Sequence, residues 1–113
     1  MVALDFNVPA SGSSSNRPPL NFGRINAAAL ARFPDLLARW LPGGKRVGNE
    51  WVALNPRRSD AKAGSFCINI ATGKWSDFAS GDRGGDPISL AAYLGNIKQG
   101  DAARKLSDML GVR

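Results

Sequence analysis

The chain has 113 residues, enough for one domain with a modest core and too few for a complete polymerase or helicase. Fifteen Lys and Arg oppose nine acids, a net charge of +6, and only one of those acids is a glutamate, Glu50. One cysteine, Cys67, and no histidine exclude an internal disulfide, Ser-His-Asp or Cys-His catalysis and the usual ligand set of structural zinc.

A basic balance of this size favours a polyanionic partner, because neutralised phosphates release condensed counterions. A merely soluble basic protein has the same composition. The charge is concentrated: ten basic and five acidic residues fall between Arg24 and Arg83, and the rest is close to neutral. No apolar run approaches the ~20 residues of a membrane span. Met1 is not followed by the basic and then apolar stretch of a signal peptide. The expected compartment is therefore cytoplasmic, with no membrane partner.

Residues 1–23 are rich in Ser, Pro, Asn and Gly and bury too little to offset their ordering entropy, so they read as a disordered tail before a folded module over 24–113. Asn26 is the expected N-cap of a first helix beginning at Ala27. Pro34 interrupts the pattern and restarts a helix that runs to Leu41. Leu30, Phe33, Leu37 and Leu41 recur at helical spacing and read as core. Pro42-Gly43-Gly44 ends the helical stretch.

Strand patterns follow. Lys45-Arg46-Val47 and Glu50-Trp51-Val52-Ala53-Leu54 flank a Gly48-Asn49 turn. Asn55 to Gly64 is a polar, basic loop. Ser65 to Ile70 alternates, with Phe66, Ile68 and Ile70 on one face, and a Thr72-Gly73 turn leads to a partner strand over Lys74–Phe78. These segments predict a small antiparallel sheet. Next, Asp86 and Pro87 are the cap and first position of a helix over Pro87–Leu94 that stops at Gly95. A last helix, capped by Asp101, runs to Leu110 with Gly111 at its C-cap. Its stripe of Ala102, Leu106, Met109 and Leu110 reads as core.

The order Ser65-Phe66-Cys67-Ile68-Asn69, Thr72-Gly73-Lys74-Trp75, Asp77-Phe78, Gly84-Gly85-Asp86-Pro87-Ile88-Ser89 and a closing Ala-rich helix resembles the zinc-binding domain at the front of DnaG-type primases. It also resembles the N-terminal module of plasmid and phage primase-helicase proteins, where Gly43-Gly44-Lys45-Arg46-x-Gly48-x-Glu50-Trp51 has a counterpart. The resemblance covers roughly residues 41–112. It implies an α+β fold: a zinc-ribbon-like sheet, here metal-free, flanked by N-terminal and C-terminal helices.

The resemblance places Asn55 and Arg58 at the first pair of zinc ligands and Asp77 and Ser80 at the second. None is a Cys or His, so neither zinc nor another cofactor is expected. Packing of Trp51, Phe66, Ile68, Trp75 and Phe78 is expected in place of the metal, each ring or chain contributing about 1.5–3 kcal/mol when buried. Cys67 lies away from the ligand positions and reads as a small packed or surface residue.

In the family the sheet face and nearby basic loops are taken to contact single-stranded template. Lys45, Arg46, Arg57, Arg58, Lys62, Lys74 and Arg83 surround the predicted sheet, with Arg57-Arg58 singled out because its loop has no apolar reason to be ordered. Trp75, beside Lys74 in a turn, is the aromatic expected to stack on a base. The bland readings are a solvated charged face and aromatic core packing.

The expected function is thus non-catalytic binding of single-stranded DNA, or RNA, by an accessory primase module. The alternative is a protein-interaction module that docks onto a helicase or polymerase domain. A free-standing enzyme is disfavoured, since no cluster of acidic metal ligands is present. Gly81-Asp82-Arg83-Gly84-Gly85 also lacks the spacing and Lys-Ser/Thr ending of a phosphate-cradling loop.

Overall fold

The computed structural model describes residues 20–57 and 65–112. Two helices, α1 (Phe22–Ala31) and α2 (Phe33–Trp40), precede five strands, β1 (Lys45–Val47), β2 (Glu50–Ala53), β3 (Phe66–Asn69), β4 (Trp75–Asp77) and β5 (Arg83–Gly84). Helices α3 (Pro87–Gly95) and α4 (Gln99–Leu110) close the chain. The strands form one antiparallel meander in the order β1-β2-β3-β4-β5, so the architecture is α+β. Among the described residues, no helix is long and apolar enough to cross a membrane.

The first helix starts earlier than its sequence suggests. Asn21, not Asn26, is its N-cap, accepting from the Arg24 amide at 3.0 Å, and Leu20 already packs against the core. The boundary expected at residue 24 therefore moves forward; residues 1–19 of the expected tail lie outside the described residues. Asn26 has a different task, because its Oδ1 accepts the Ile88 amide of α3 at 3.0 Å. That bond crosses 62 residues of sequence.

The start of α3 is fully satisfied by such means. Pro87 has no N–H to lose, Ile88 donates to Asn26, and Asp86 accepts from the Ser89 amide while the Ser89 hydroxyl engages the Asp86 backbone, a capping box. The helix ends one residue beyond the expected stop: Gly95 is its last residue, and Asn96 takes the left-handed position with φ +53°. Lys98 rather than Asp101 is the N-cap of α4, and Asp101 falls in the first turn. Gly111 supplies the left-handed C-cap at φ +71°, a conformation open to glycine without steric cost.

The sheet has two unlike faces. Ala53, Phe66, Ile68 and Trp75 turn inward and join Ile25, Phe33, Leu37, Trp40, Leu41, Ile88, Leu90 and Leu106 in a single core. Trp51 packs at its margin and donates from Nε1 to the Leu41 carbonyl at 3.2 Å. Leu36 and Trp40 widen the buried stripe of α2 beyond the expected set, while Leu30 is only half-buried. On α4, Ala102 and Leu106 are buried, with Met109 and Leu110 half-buried against them.

Candidate nucleic-acid interface

Strand register decides which side chains share the outer face. Cross-strand partners point the same way, and side chains alternate along a strand. The pairs Lys45↔Val52, Val52↔Cys67, Cys67↔Ser76 and Ser76↔Arg83 therefore draw one row across all five strands. At 4.7–4.9 Å per strand step the row is about 19 Å long. A cation stands at each end of it. Val47, Glu50 and Asn69 form a second row on the same face. A groove of about 340 Å³ crosses this face, and Lys74, Ser76, Phe78 and Arg83 stand around it.

Of the two roles expected of Trp75 the structure keeps core packing and not stacking, and Phe78 leaves the core. Trp75, expected to stack on a base, is only 6% exposed; its indole Nε1 donates to Ser89 Oγ at 2.9 Å and its ring meets Phe66 edge-on at 6.0 Å. Phe78, expected in the core, is 76% exposed. The cause is parity. Trp75 and Asp77 share the inner side of β4, so Ser76 and Phe78 must point outward.

The turn after β4 then fixes Phe78 at a corner. Asp77 Oδ1 accepts from the Ala79 amide at 2.9 Å, and the Gly81 amide returns to the Asp77 carbonyl at 2.8 Å. The Phe78 amide still reaches the Ser65 carbonyl at 2.9 Å, which holds the backbone on the sheet while the ring faces water. Alternation alone could have revealed this, since residues three apart in a strand cannot share a face. The buried acid at position 77 disguised it.

The predicted basic cluster divides. Lys45, Lys74 and Arg83 share the open face with Phe78. Arg46 pairs with Trp51 and so belongs to the other side, its Nε donating to the Gly48 carbonyl at 3.2 Å. Arg57 is also on the helix side, its guanidinium 4.8 Å from the Tyr93 ring centre and bonded to the Tyr93 carbonyl at 3.3 Å. An aromatic neighbour thus orders Arg57, contrary to the expectation of a loop with no reason for order. Arg58 and Lys62 lie outside the described residues.

Cys67 sits half-buried in the middle of the open face. Burial, and after it the negative charge of Glu50, pushes its thiol above the ordinary pKa. The thiolate, which is the reactive form, is therefore depleted near neutral pH. Alkylation by iodoacetamide near neutrality should run several-fold slower in the folded chain than in the urea-unfolded chain. Raising the pH well into the alkaline range should narrow the gap, and equal rates near neutrality would contradict this environment.

Two of the four positions that the resemblance gives to metal ligands, Asn55 and Asp77, meet in a hydrogen-bonded clasp; Arg58 lies outside the described residues. Asn55 and Asp77 are both fully buried. The Asn55 amide nitrogen donates to Asp77 Oδ2 at 2.7 Å and to the Tyr93 hydroxyl at 2.8 Å, while its Oδ1 accepts the Arg57 amide at 2.9 Å. Tyr93 in turn donates to Asp82 Oδ2 at 2.7 Å. Burial is the main reason that the Tyr93 pKa is raised; the Asn55 donor opposes this and the Asp82 acceptor reinforces it.

Ser80 stays exposed at the rim, its amide 3.4 Å from Asp77 Oδ1. These residues do not fit zinc. Asn55 points N–H groups at Asp77, so the pair complements itself rather than a cation. Among the described residues, no group of three or more His, Cys, Asp or Glu side chains is placed to hold a metal ion.

No protein-family model, curated protein or solved structure matches this chain.

Proposed function

We propose that this chain is a non-catalytic nucleic-acid-binding module of the kind that opens plasmid- and phage-type primases, a metal-free relative of their zinc-ribbon domain, and that it holds single-stranded DNA across the open face of its sheet. The observation that carries this reading is Phe78. A large ring 76% exposed at the edge of the open sheet face, beside Lys74 and Arg83, combines a stacking platform with cations for the backbone. Every base has a π-face, so such a site grips a strand without reading its sequence. Glu50 on the same face disfavours phosphate at its own position and leaves the backbone to the two ends of the row.

Anisotropy of a labelled oligothymidylate, titrated across a range of salt, tests the proposal. Phe78→Ala should weaken binding about tenfold, within the ~1–3 kcal/mol per stacked base, and leave the thermal midpoint nearly unchanged because the ring buries little. Lys74→Ala and Arg83→Ala together should flatten the dependence of log K on log salt by about 1.4, at ~0.7 per phosphate contact on a single strand. Binding that is absent at low salt, or indifferent to salt, overturns the reading. Capture of a helicase or polymerase domain by a chain with no DNA affinity would favour a docking role instead. A ribonucleotide arm of the same titration compares RNA with DNA.

A further inference from the structure

The open face is continuous with a second groove on the other side of β5. That groove, about 560 Å³, runs between the β5 edge and the turn joining α3 to α4, and Arg57, Arg83 and Lys98 stand around it. Arg83 and Gly84 line both grooves, so the two meet across a strand only two residues long. Gly85 leaves the passage open: a Cβ built on it meets nothing within 4 Å. We infer that a strand held on the open face continues over the β5 edge into this second groove, where Arg57, Arg83 and Lys98 take its phosphates. The inference rests on the sheet-face reading of the proposed function.

The chemistry of the groove selects backbone over base. Tyr93 is its only lining aromatic with a ring near the surface, and that ring is already engaged by two neighbours. Trp75 lies 4.6 Å from it, centre to centre, and the Arg57 guanidinium sits at 4.8 Å on the ring. A base would have to displace these contacts to stack there, and three cations oppose one lining carboxylate, that of Asp86. That carboxylate is committed to the Ser89 amide, as the nearby Asp82 is to the Tyr93 hydroxyl. Arg57 is held by the Tyr93 ring and carbonyl and keeps further N–H donors for a phosphodiester, so little ordering entropy remains to be lost there.

The test is an amide chemical-shift titration of the full chain with oligothymidylates of about four and about twelve nucleotides, lengths that bracket a one-groove and a two-groove site. Both strands should shift the amides of Ser76, Phe78 and Arg83. Only the longer should shift those of Gly85 and Lys98. Lys98→Glu should lower the affinity for the longer strand about tenfold and leave the short strand unchanged. Lys98 is exposed and caps α4 without a side-chain bond, so the variant keeps the fold, which its spectrum checks directly. Binding of both strands with Gly85 and Lys98 undisturbed, or an equal loss for both strands in Lys98→Glu, overturns the path while leaving the sheet face standing. Failure of both strands to bind the native chain overturns both.

Discussion

Replacing Asp77 with alanine should lower the free energy of unfolding by about 3 kcal/mol, the upper range for a hydrogen bond to a charged group with a buried partner left unmet. Connections at both carboxylate oxygens would be lost together. Oδ1 would no longer hold the turn at Ala79, and Oδ2 would no longer receive the Asn55 amide, which is fully buried and cannot turn to water. Urea unfolding followed by tryptophan fluorescence measures this, and a loss below about 1 kcal/mol would sink the idea that the clasp holds β2, β4 and α3 together.

Asp77→Asn is the sharper form of the experiment. If its oxygen stays on the Ala79 amide, its NH2 group must face the NH2 of Asn55, donor against donor. This nominally conservative change should therefore cost about 1–3 kcal/mol. The exchange Asn55→Asp with Asp77→Asn restores one donor facing one acceptor. It should recover part of the loss, a coupling of about 0.5–3 kcal/mol in a double-mutant cycle. Strict additivity of the two single changes would show that the residues act separately.

Gly84→Ala has the other large expected effect, a loss of about 2–4 kcal/mol from overpacking and a broken hydrogen bond. A Cβ at this position would lie 2.4 Å from Trp75 Nε1 and 2.5 Å from Ser89 Oγ, inside the bond those two atoms make. Neither can retreat. Trp75 is wedged between Phe66 and Tyr93, and Ser89 is tied into the capping box of α3. Gly85→Ala provides the internal control, since its Cβ meets open space and should change stability by no more than ~0.5 kcal/mol. Thermal melts of the two variants that coincide would refute the close approach.

The contrast between these neighbours bears on how far the sequence could be read. Gly84-Gly85 is visible as a tight strand-to-helix step, and its Asp86-Pro87 continuation correctly marks the start of α3. Which glycine is required depends on Trp75, nine residues earlier, and on its side of β4. The strands β1 to β4 are legible from alternation and from the Gly48 and Gly73 turns: β1 keeps its expected bounds, β2 stops one residue early, and β3 and β4 are one residue shorter at each end. The two-residue β5 has too few positions to alternate.

In the site, Lys45, Lys74 and Arg83 were legible as a basic set around a sheet. Arg46 and Arg57 could not be separated from them without the register. For Phe78 the two local signals conflict: an apolar ring beside a strand suggests burial, while alternation from Trp75 puts Asp77 inside and Phe78 outside.

The Asp86 and Gly111 caps, the helical stripes and the strand alternation, set by residues a few positions apart, are what the sequence alone determined, together with a net positive charge. The sharing of Asn26 between α1 and α3, the meeting of Asn55 with Asp77 and Tyr93, and the covering of only one sheet face were decided by the tertiary structure. Those contacts join residues 22 to 62 positions apart, and their energy depends on which polar groups are left dry once the core has closed. Local pattern supplies the elements. Strand parity puts Asp77 inside and Phe78 outside, and the hydrogen bonds from Asn55 and the Ala79 amide offset the cost of drying the carboxylate.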